Sequence, residues 1–345
     1  MSYSTDPAPP KFNEPKKLHS PDDALPPVQA PSGSFFMQLF FIPLIIVAII
    51  FVTYTMFTWL AHAGTNPQDL VRDLAKLNDA SWQKALNLAN LLHDPQYDHL
   101  KDDTALAKQL TDVLDAELAA GKKDEPRLKL RIFLCRLLGE FRVPEVFPSL
   151  INAAVTERDP VDVNVRAAAL EAIAVFVQTA GPEKMQSHEE LIAALQKASV
   201  ERSDVETEKR PREELRSRAA FVFGVLGGGP ALDRLETLLD DSYSNVRYNA
   251  ATGLARYGDA RAERVLLEML DPTNVAALDS EKSESEKQNK RVRVLSNGIR
   301  AAEQFIKKNP DESARVLASL AKLADADIPQ SVRLHAKEIV YQLKP

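Results

Sequence analysis

Cysteine and histidine are scarce in this sequence of 345 residues, which contains one cysteine and six histidines. The single cysteine, Cys135, has no second thiol with which to form an internal disulfide bond. It stands in the amphipathic segment IFLCRLLGEF, so we predict a buried, small apolar side chain and not a reactive thiol. Cysteine content therefore gives no guide to the compartment of the protein.

Large apolar residues are almost missing from residues 1–34, where prolines are frequent. Such a segment buries too little apolar surface to offset the entropy lost on ordering the chain. We therefore predict a disordered, proline-rich tail over residues 1–34. Its role is either that of a passive spacer or that of a PxxP-type ligand.

Charge is absent from residues 35–61, FFMQLFFIPLIIVAIIFVTYTMFTWLA. About 20 such residues suffice to cross a bilayer as a helix, so we predict one transmembrane helix over 35–61. Tyr54 and Trp59 are predicted to lie at the membrane interface. The AHAG sequence at 61–64 is similar to a signal-peptide cleavage site, but the apolar run starts late and is longer than a usual signal segment. An uncleaved anchor is therefore expected.

The lysines and arginines that flank the apolar segment indicate its orientation. The tail contains Lys11, Lys16 and Lys17, and the other flank contains Arg72 and Lys76. This small excess favours a cytoplasmic tail, with the rest of the protein outside the cytoplasm.

A recurring Val-Arg or Leu-Arg pair marks the chain from residue 66 onward, at intervals of roughly 30 to 50 residues. Each pair begins an apolar helical stretch, and each stretch follows another amphipathic helix. We therefore predict an all-α fold, an α-solenoid of about seven helical hairpins over residues 66–345. The arginines are Arg131, Arg166, Arg216, Arg247, Arg293 and Arg333.

The repeated pattern is D-x-x-[Val]-Arg-x-x-Ala-x-x-Ala-Leu, with a glycine that ends the second helix. It resembles HEAT repeats of the short bacterial type, related to those of phycobilisome lyases. The resemblance covers about four fifths of the chain, is strong at 229–258 and good at 143–177, and is loose at 66–92 and 272–305. It implies a fold far more specifically than a function.

An acidic residue precedes most of the repeat arginines by six to eight positions. A carboxylate at each turn and an arginine on the following helix can form charge-assisted hydrogen bonds across stacked repeats, as the resemblance to HEAT repeats also implies. Arg216 departs from the pattern because Lys209 and Arg210 occupy that region. The predicted ladder carboxylates are Asp124, Asp159, Asp241, Glu286 and Asp325.

Residues that could carry chemistry do not assemble into a recognisable site. The segment HDPQYDH at 93–99 gathers possible metal ligands but lacks the spacing of a zinc motif, and a polar turn explains it. No nucleophile, base and orienting partner can be combined, so we expect no enzyme activity, no cofactor and no metal. The net charge of -6 argues against nucleic-acid binding, and the basic run at 287–293 is interpreted as a solvated loop.

Two units contain long insertions, at 201–213 and 274–291, between the first and second helices of their pairs. We expect both to project as loops from one edge of the solenoid. They are either tolerated additions or partner-binding loops.

The sequence as a whole predicts a single-pass membrane protein that acts as a scaffold or adaptor and binds protein or peptide partners through its helical repeats. Two alternatives stay open. One is a lyase-like or chromophore-handling accessory enzyme, which the family resemblance suggests. The other is a regulatory subunit of a membrane complex.

Overall fold

The computed structural model describes residues 32–62, 67–74, 78, 81–278 and 281–343. The regular secondary structure within these ranges consists of helices and contains no β-strand, which confirms the all-α prediction. The chain divides into two compact units, residues 1–64 and 65–345. Residues 1–31 of the predicted tail lie outside the described residues.

The first unit contains one long helix, α1, which runs from Gly33 to His62. Its segment Gly33–Trp59 has a mean hydropathy of 2.8, and none of it is buried within the structure. Tyr54 and Trp59 are exposed near its end. The helix is long and apolar enough to cross a membrane. An N-terminal signal sequence meets the same criterion.

The second unit is built from seven consecutive helix pairs in the described part of the chain, which confirms the predicted α-solenoid. A short helix, α8 (Pro182–Met185), lies between the third and fourth pairs. The pairs are α2 (Pro67–Leu74) with α3 (Ser81–Leu92), α4 (Thr104–Ala120) with α5 (Glu125–Gly139), α6 (Phe147–Val155) with α7 (Val163–Ala180), α9 (Glu189–Ala198) with α10 (Glu206–Leu226), α11 (Gly229–Leu238) with α12 (Ser244–Arg256), α13 (Glu263–Met269) with α14 (Glu284–Lys308), and α15 (Ala314–Ala324) with α16 (Gln330–Gln342).

The second helices of the pairs pack directly on one another and form what we call the inner row: α3, α5, α7, α10, α12, α14 and α16. Small residues permit the close approach. A Cβ added to Gly253 would lie 2.7 Å from the Cα atom of Gly224 on the neighbouring helix. The first helices form an outer row with fewer mutual contacts. The more closely packed side of a curved stack lies on the inside of its curve, so we assign the inner row to the concave face.

The two predicted insertions are largely helical, so the loop interpretation is wrong over 206–213 and 284–291. These residues extend α10 and α14 at their N-termini, which gives helices of 21 and 25 residues. Ser283 and Glu286 form a capping box that starts α14. Pro211 removes only one helical hydrogen bond from α10. The basic run at 287–293 is likewise part of α14 and not a solvated loop.

Candidate functional site on the inner helix row

The repeat arginines lie along one edge of the solenoid, beside the turns between first and second helices. Arg131 begins this edge ladder. Its Nη1 lies 3.0 Å from Oδ1 of Asp162 in the next pair, and its Nη2 donates to the carbonyl of Lys122 at 2.7 Å. The arginine of one pair therefore binds the carboxylate of the following pair.

Arg166 repeats this arrangement one pair further on. It donates to both carboxylate oxygens of Glu201 at 2.8 and 2.6 Å, and it also contacts Glu157 of its own turn. Arg212 contacts the same two glutamates. Hydrogen bonds from Arg212 lower the pKa of Glu157, against the opposing effect of burial. Four charged groups from two pairs thus meet in one cluster of ion pairs.

Arg216 belongs to the ladder although its own turn lacks the predicted carboxylate. Its Nε and Nη2 each donate to Asp241 of the next pair at 3.0 Å, and both side chains are only 2% exposed. Arg247 continues the ladder with a hydrogen bond of 2.6 Å to Glu268. Asp241 is thus the one predicted carboxylate that binds a repeat arginine side chain in the described residues.

The other predicted ladder carboxylates require correction. Asp124 and Asp159 accept backbone N–H groups at the starts of helices, and Glu286 accepts the backbone N–H of Ser283. The first amides of a helix have no intrahelical acceptor, so a carboxylate just before or inside the first turn binds them instead. Asp325 lies 3.7 Å from Lys337.

Arg293 and Arg333 also depart from the ladder. Arg293 is exposed, Arg333 is half-buried, and neither forms an ion pair within the described part of the chain. The buried cation at this place is Lys290, one turn earlier on α14, whose Nζ lies 3.1 Å from Glu281. In α14 the buried positive charge therefore belongs to Lys290 and not to the arginine of the Val-Arg pair.

A second row of charges crosses the concave face and was not predicted from the sequence. It alternates in sign from α5 to α14, and each of its three glutamates lies between two basic side chains. We call it the inner-row chain. Its contacts are Arg136 to Glu171 at 3.6 Å, Glu171 to Arg218 at 2.7 Å, Arg218 to Glu214 at 2.7 Å, Glu214 to Arg210 at 3.2 Å, Arg210 to Glu281 at 3.9 Å, and Glu281 to Lys290 at 3.1 Å.

Two open cavities flank the middle of the inner-row chain, and Arg210 and Glu214 line both of them. The first, of about 370 Å³, lies between α10, α12 and α14. Polar side chains dominate its lining, and Arg293 is among them. The second, of about 350 Å³, lies between α5, α7 and α10 and includes Arg136. Together they form a site on the concave face.

Hydrogen bonds favour the ionised form of Glu214 in the middle of the inner-row chain. Burial acts to raise the pKa of Glu214, but hydrogen bonds from Tyr243 and Arg218 outweigh it, so the pKa is lowered. The hydroxyl of Tyr243 donates to Glu214 at 2.5 Å. Burial and this hydrogen bond raise the pKa of Tyr243, which keeps the phenol protonated. Such an arrangement is suited to binding charged and polar groups.

The remaining candidate residues have structural roles. Residues 95–102 of the HDPQYDH region form a 3-10 helix in which Asp98 binds Arg142 at 2.7 Å. Among the residues that the structure describes, no three histidine, cysteine or acidic side chains are grouped so as to hold a metal ion. Cys135 is fully buried, as predicted, and burial raises the pKa of its thiol to about 12.

The sequence alone is sufficient to predict part of the inner-row chain. Arg210, Glu214 and Arg218 are four residues apart, which places them on one face of a helix. The interpretation of 201–213 as a loop concealed this spacing.

Comparison with known protein families gives a match to part of the solenoid. Residues 205–280 match a family described as HEAT repeats. This region includes α10, α11, α12 and α13, and hence the middle of both charged rows.

No curated protein sequence shows significant similarity to the chain. Among solved structures, the X-ray structure of YibA from Escherichia coli, a structural genomics target, is similar at 18% sequence identity. The match covers 81% of this chain and 97% of that chain, with a TM-score of 0.28. A TM-score this low supports no inference from YibA.

Proposed function

We propose that this HEAT-repeat protein is a membrane-anchored scaffold that binds a protein or peptide partner on its inner row. The observation that carries the proposal is the pair of cavities on the concave face, joined by the half-exposed Arg210 and Glu214. Helical solenoids bind partners along such extended concave surfaces. The proposal gives the chain a binding role and no catalytic one.

The membrane part of the proposal rests on α1. This helix is apolar around its whole circumference, and a helix without a polar face is suited to lipid. Tyr54 and Trp59 near its end have the amphipathic rings that favour the headgroup region. We propose that α1 stays uncleaved and spans the bilayer once, with the N-terminal tail in the cytoplasm and the solenoid outside it.

The two alternative functions differ from the scaffold in simple observables. A lyase-like or chromophore-handling protein would carry visible absorbance or a bound cofactor after purification of the full chain. A regulatory subunit would copurify with one partner at constant stoichiometry. A scaffold of the proposed kind is colourless after purification. Its partner dissociates from the inner row and does not copurify at constant stoichiometry.

Photocrosslinking in intact membranes tests the proposal. A photoreactive amino acid replaces Asn297, which lines the first cavity, or Glu190, which is exposed on the outer helix α9. We expect a discrete protein conjugate from position 297 and none from position 190. Equal conjugates from both positions, or conjugates from 190 alone, would place partner binding elsewhere.

A further inference from the structure

The inner-row chain carries more positive than negative charge, although the protein as a whole is acidic. Its four basic side chains alternate with three glutamates, and Arg293 adds a fifth positive charge at the first cavity. The net charge of the entire sequence is -6. A local excess of positive charge on an acidic protein attracts ligands with negative groups.

We propose that this site binds an extended, acidic peptide segment of the partner protein; this specifies the ligand of the proposed scaffold and rests on that proposal. The segment's carboxylates bind Arg136, Arg210, Arg218 and Arg293, and its backbone lies along the two cavities. The occupant is thus a protein segment with spaced glutamate or aspartate residues.

The basic side chains retain capacity for further acceptors. A guanidinium carries five N–H donors. Arg136 makes one ion pair at 3.6 Å, and its side chain is 52% exposed. Arg293 is exposed and forms no ion pair within the described ranges. Carboxylates of a bound segment can therefore join these arginines without displacing the glutamates of the chain.

The length of the site indicates an extended ligand. The inner-row chain extends over five neighbouring inner helices, α5, α7, α10, α12 and α14, of which α12 lines the first cavity. Packed helix axes are about 8 to 10 Å apart, so four steps span roughly 30 to 40 Å. An extended peptide rises about 3.3 Å per residue, so about ten residues cover the site.

Two asparagines in the first cavity favour a peptide over a nucleic acid. Asn245 donates its amide N–H to the hydroxyl of Tyr243 at 2.8 Å, and Asn249 donates to the carbonyl of Ser217 at 2.9 Å. Their side-chain oxygens are then acceptors for N–H donors. A peptide backbone supplies N–H groups, whereas a sugar-phosphate backbone does not.

The glutamates of the inner-row chain also restrict which ligands can bind. Glu171, Glu214 and Glu281 alternate with the basic residues and repel a ligand that is negative at every position. A segment with acidic residues separated by neutral ones places its carboxylates beside the arginines and avoids the glutamates. The alternation therefore selects spaced charges over a uniform polyanion.

The test uses the full chain in detergent micelles and three fluorescein-labelled peptides of 12 residues. They share one alanine-serine sequence and carry glutamate, glutamine or lysine at every third position. We expect the glutamate peptide to bind, and its affinity to fall as salt is added. The glutamine peptide should bind at least about 100-fold more weakly, because it lacks all four carboxylates and each ion pair contributes up to about 1 kcal/mol. The lysine peptide should not bind.

Substitutions then locate the site. Arg136→Gln and Arg293→Gln should each weaken binding of the glutamate peptide about fivefold, the effect of one partly exposed ion pair. The matched control is Arg264→Gln, an arginine on the outer helix α13 that pairs with Asp240 at 2.5 Å. The control should leave binding unchanged.

Four results would overturn the acidic-peptide site. They are equal binding of the glutamate and glutamine peptides, no binding at about 1 mM, an equal loss in the Arg264→Gln control, and tighter binding of a 12-nucleotide single-stranded DNA. If any of these occurs while position 297 still forms its partner conjugate, the scaffold stands and the acidic ligand is wrong. Loss of that conjugate as well would overturn both.

Discussion

The edge ladder and the inner-row chain use the same residue types in different environments. On the edge, Arg216 and Asp241 are each 2% exposed and bind through two hydrogen bonds. On the concave face, Arg136 and Glu171 are 52% and 36% exposed and lie 3.6 Å apart. Loss of one partner from a buried pair leaves an uncompensated charge, whereas water solvates the remaining partner of an exposed pair. The edge therefore stabilises the stack, and the concave row is available for a ligand.

The largest expected difference lies between Arg216→Ala and Arg293→Ala. We expect Arg216→Ala to lower the free energy of unfolding by about 2 to 3 kcal/mol, because the buried Asp241 then keeps only the exposed Arg202, at 3.2 Å, as its ionic partner. Arg293→Ala should change it by less than about 0.5 kcal/mol, since Arg293 is exposed. Urea unfolding of the full chain in detergent, followed by circular dichroism, measures both. Equal losses would remove the distinction between the two rows.

Two glycine substitutions test how closely the helices of the inner row pack. Gly253→Ala should cost about 1 to 3 kcal/mol, because the new Cβ would lie 2.7 Å from Gly224 and 2.8 Å from Leu235. Gly229→Ala, where no atom lies within 4 Å of the new Cβ, should be neutral or stabilising by up to about 1 kcal/mol. Thermal unfolding of both variants gives the comparison. A harmless Gly253→Ala would mean that the inner helices are further apart than described.

Acid should weaken the edge through Glu157. Its pKa lies below the ordinary value of 4.5 in the folded protein, mainly through hydrogen bonds from Arg212. The stability that ionised Glu157 contributes is present above pH 4.5 and is lost as the pH falls through the lowered pKa. Glu157→Gln should therefore be less stable than the original protein at neutral pH, and this difference should shrink below pH 4.5. A difference that is constant with pH would contradict the assignment.

A small effect is also expected for Arg136→Ala. Its ion pair with Glu171 is exposed, so the free energy of unfolding should change by less than about 1 kcal/mol. Chemical denaturation beside Arg216→Ala provides the measurement. A loss as large as that of Arg216→Ala would show that the concave row is structural.

The arginine repeat was sufficient to predict the helical hairpins, because its spacing and its apolar neighbours are local properties of the chain. It did not identify the carboxylates. Asp162, Glu201 and Glu268 belong to the pair after the arginine that they bind, so sequence proximity pointed instead to Asp124 and Asp159. Those nearer residues lie before helix starts, where backbone amides compete for them.

The inner-row chain could be predicted only in part. The spacing of Arg210, Glu214 and Arg218 places them on one face of a helix, but residues 201–213 also fit a looped insertion between the two helices of a pair. The contacts of Glu171 with Arg136 and Arg218 join three helices that are far apart in sequence. Their alignment depends on how neighbouring pairs stack, which a single helix pattern does not specify.

The central claim, that the edge ladder stabilises and the inner row binds, is tested most directly by two measurements on the same preparations. Arg247→Gln removes an edge contact with Glu268, and Arg136→Gln removes a concave charge. Unfolding free energy and affinity for the glutamate peptide are measured for each. We expect Arg247→Gln to lose stability and keep its affinity, and Arg136→Gln to keep its stability and lose affinity about fivefold. Equal changes of both quantities in both variants, or the reverse assignment, would contradict the account.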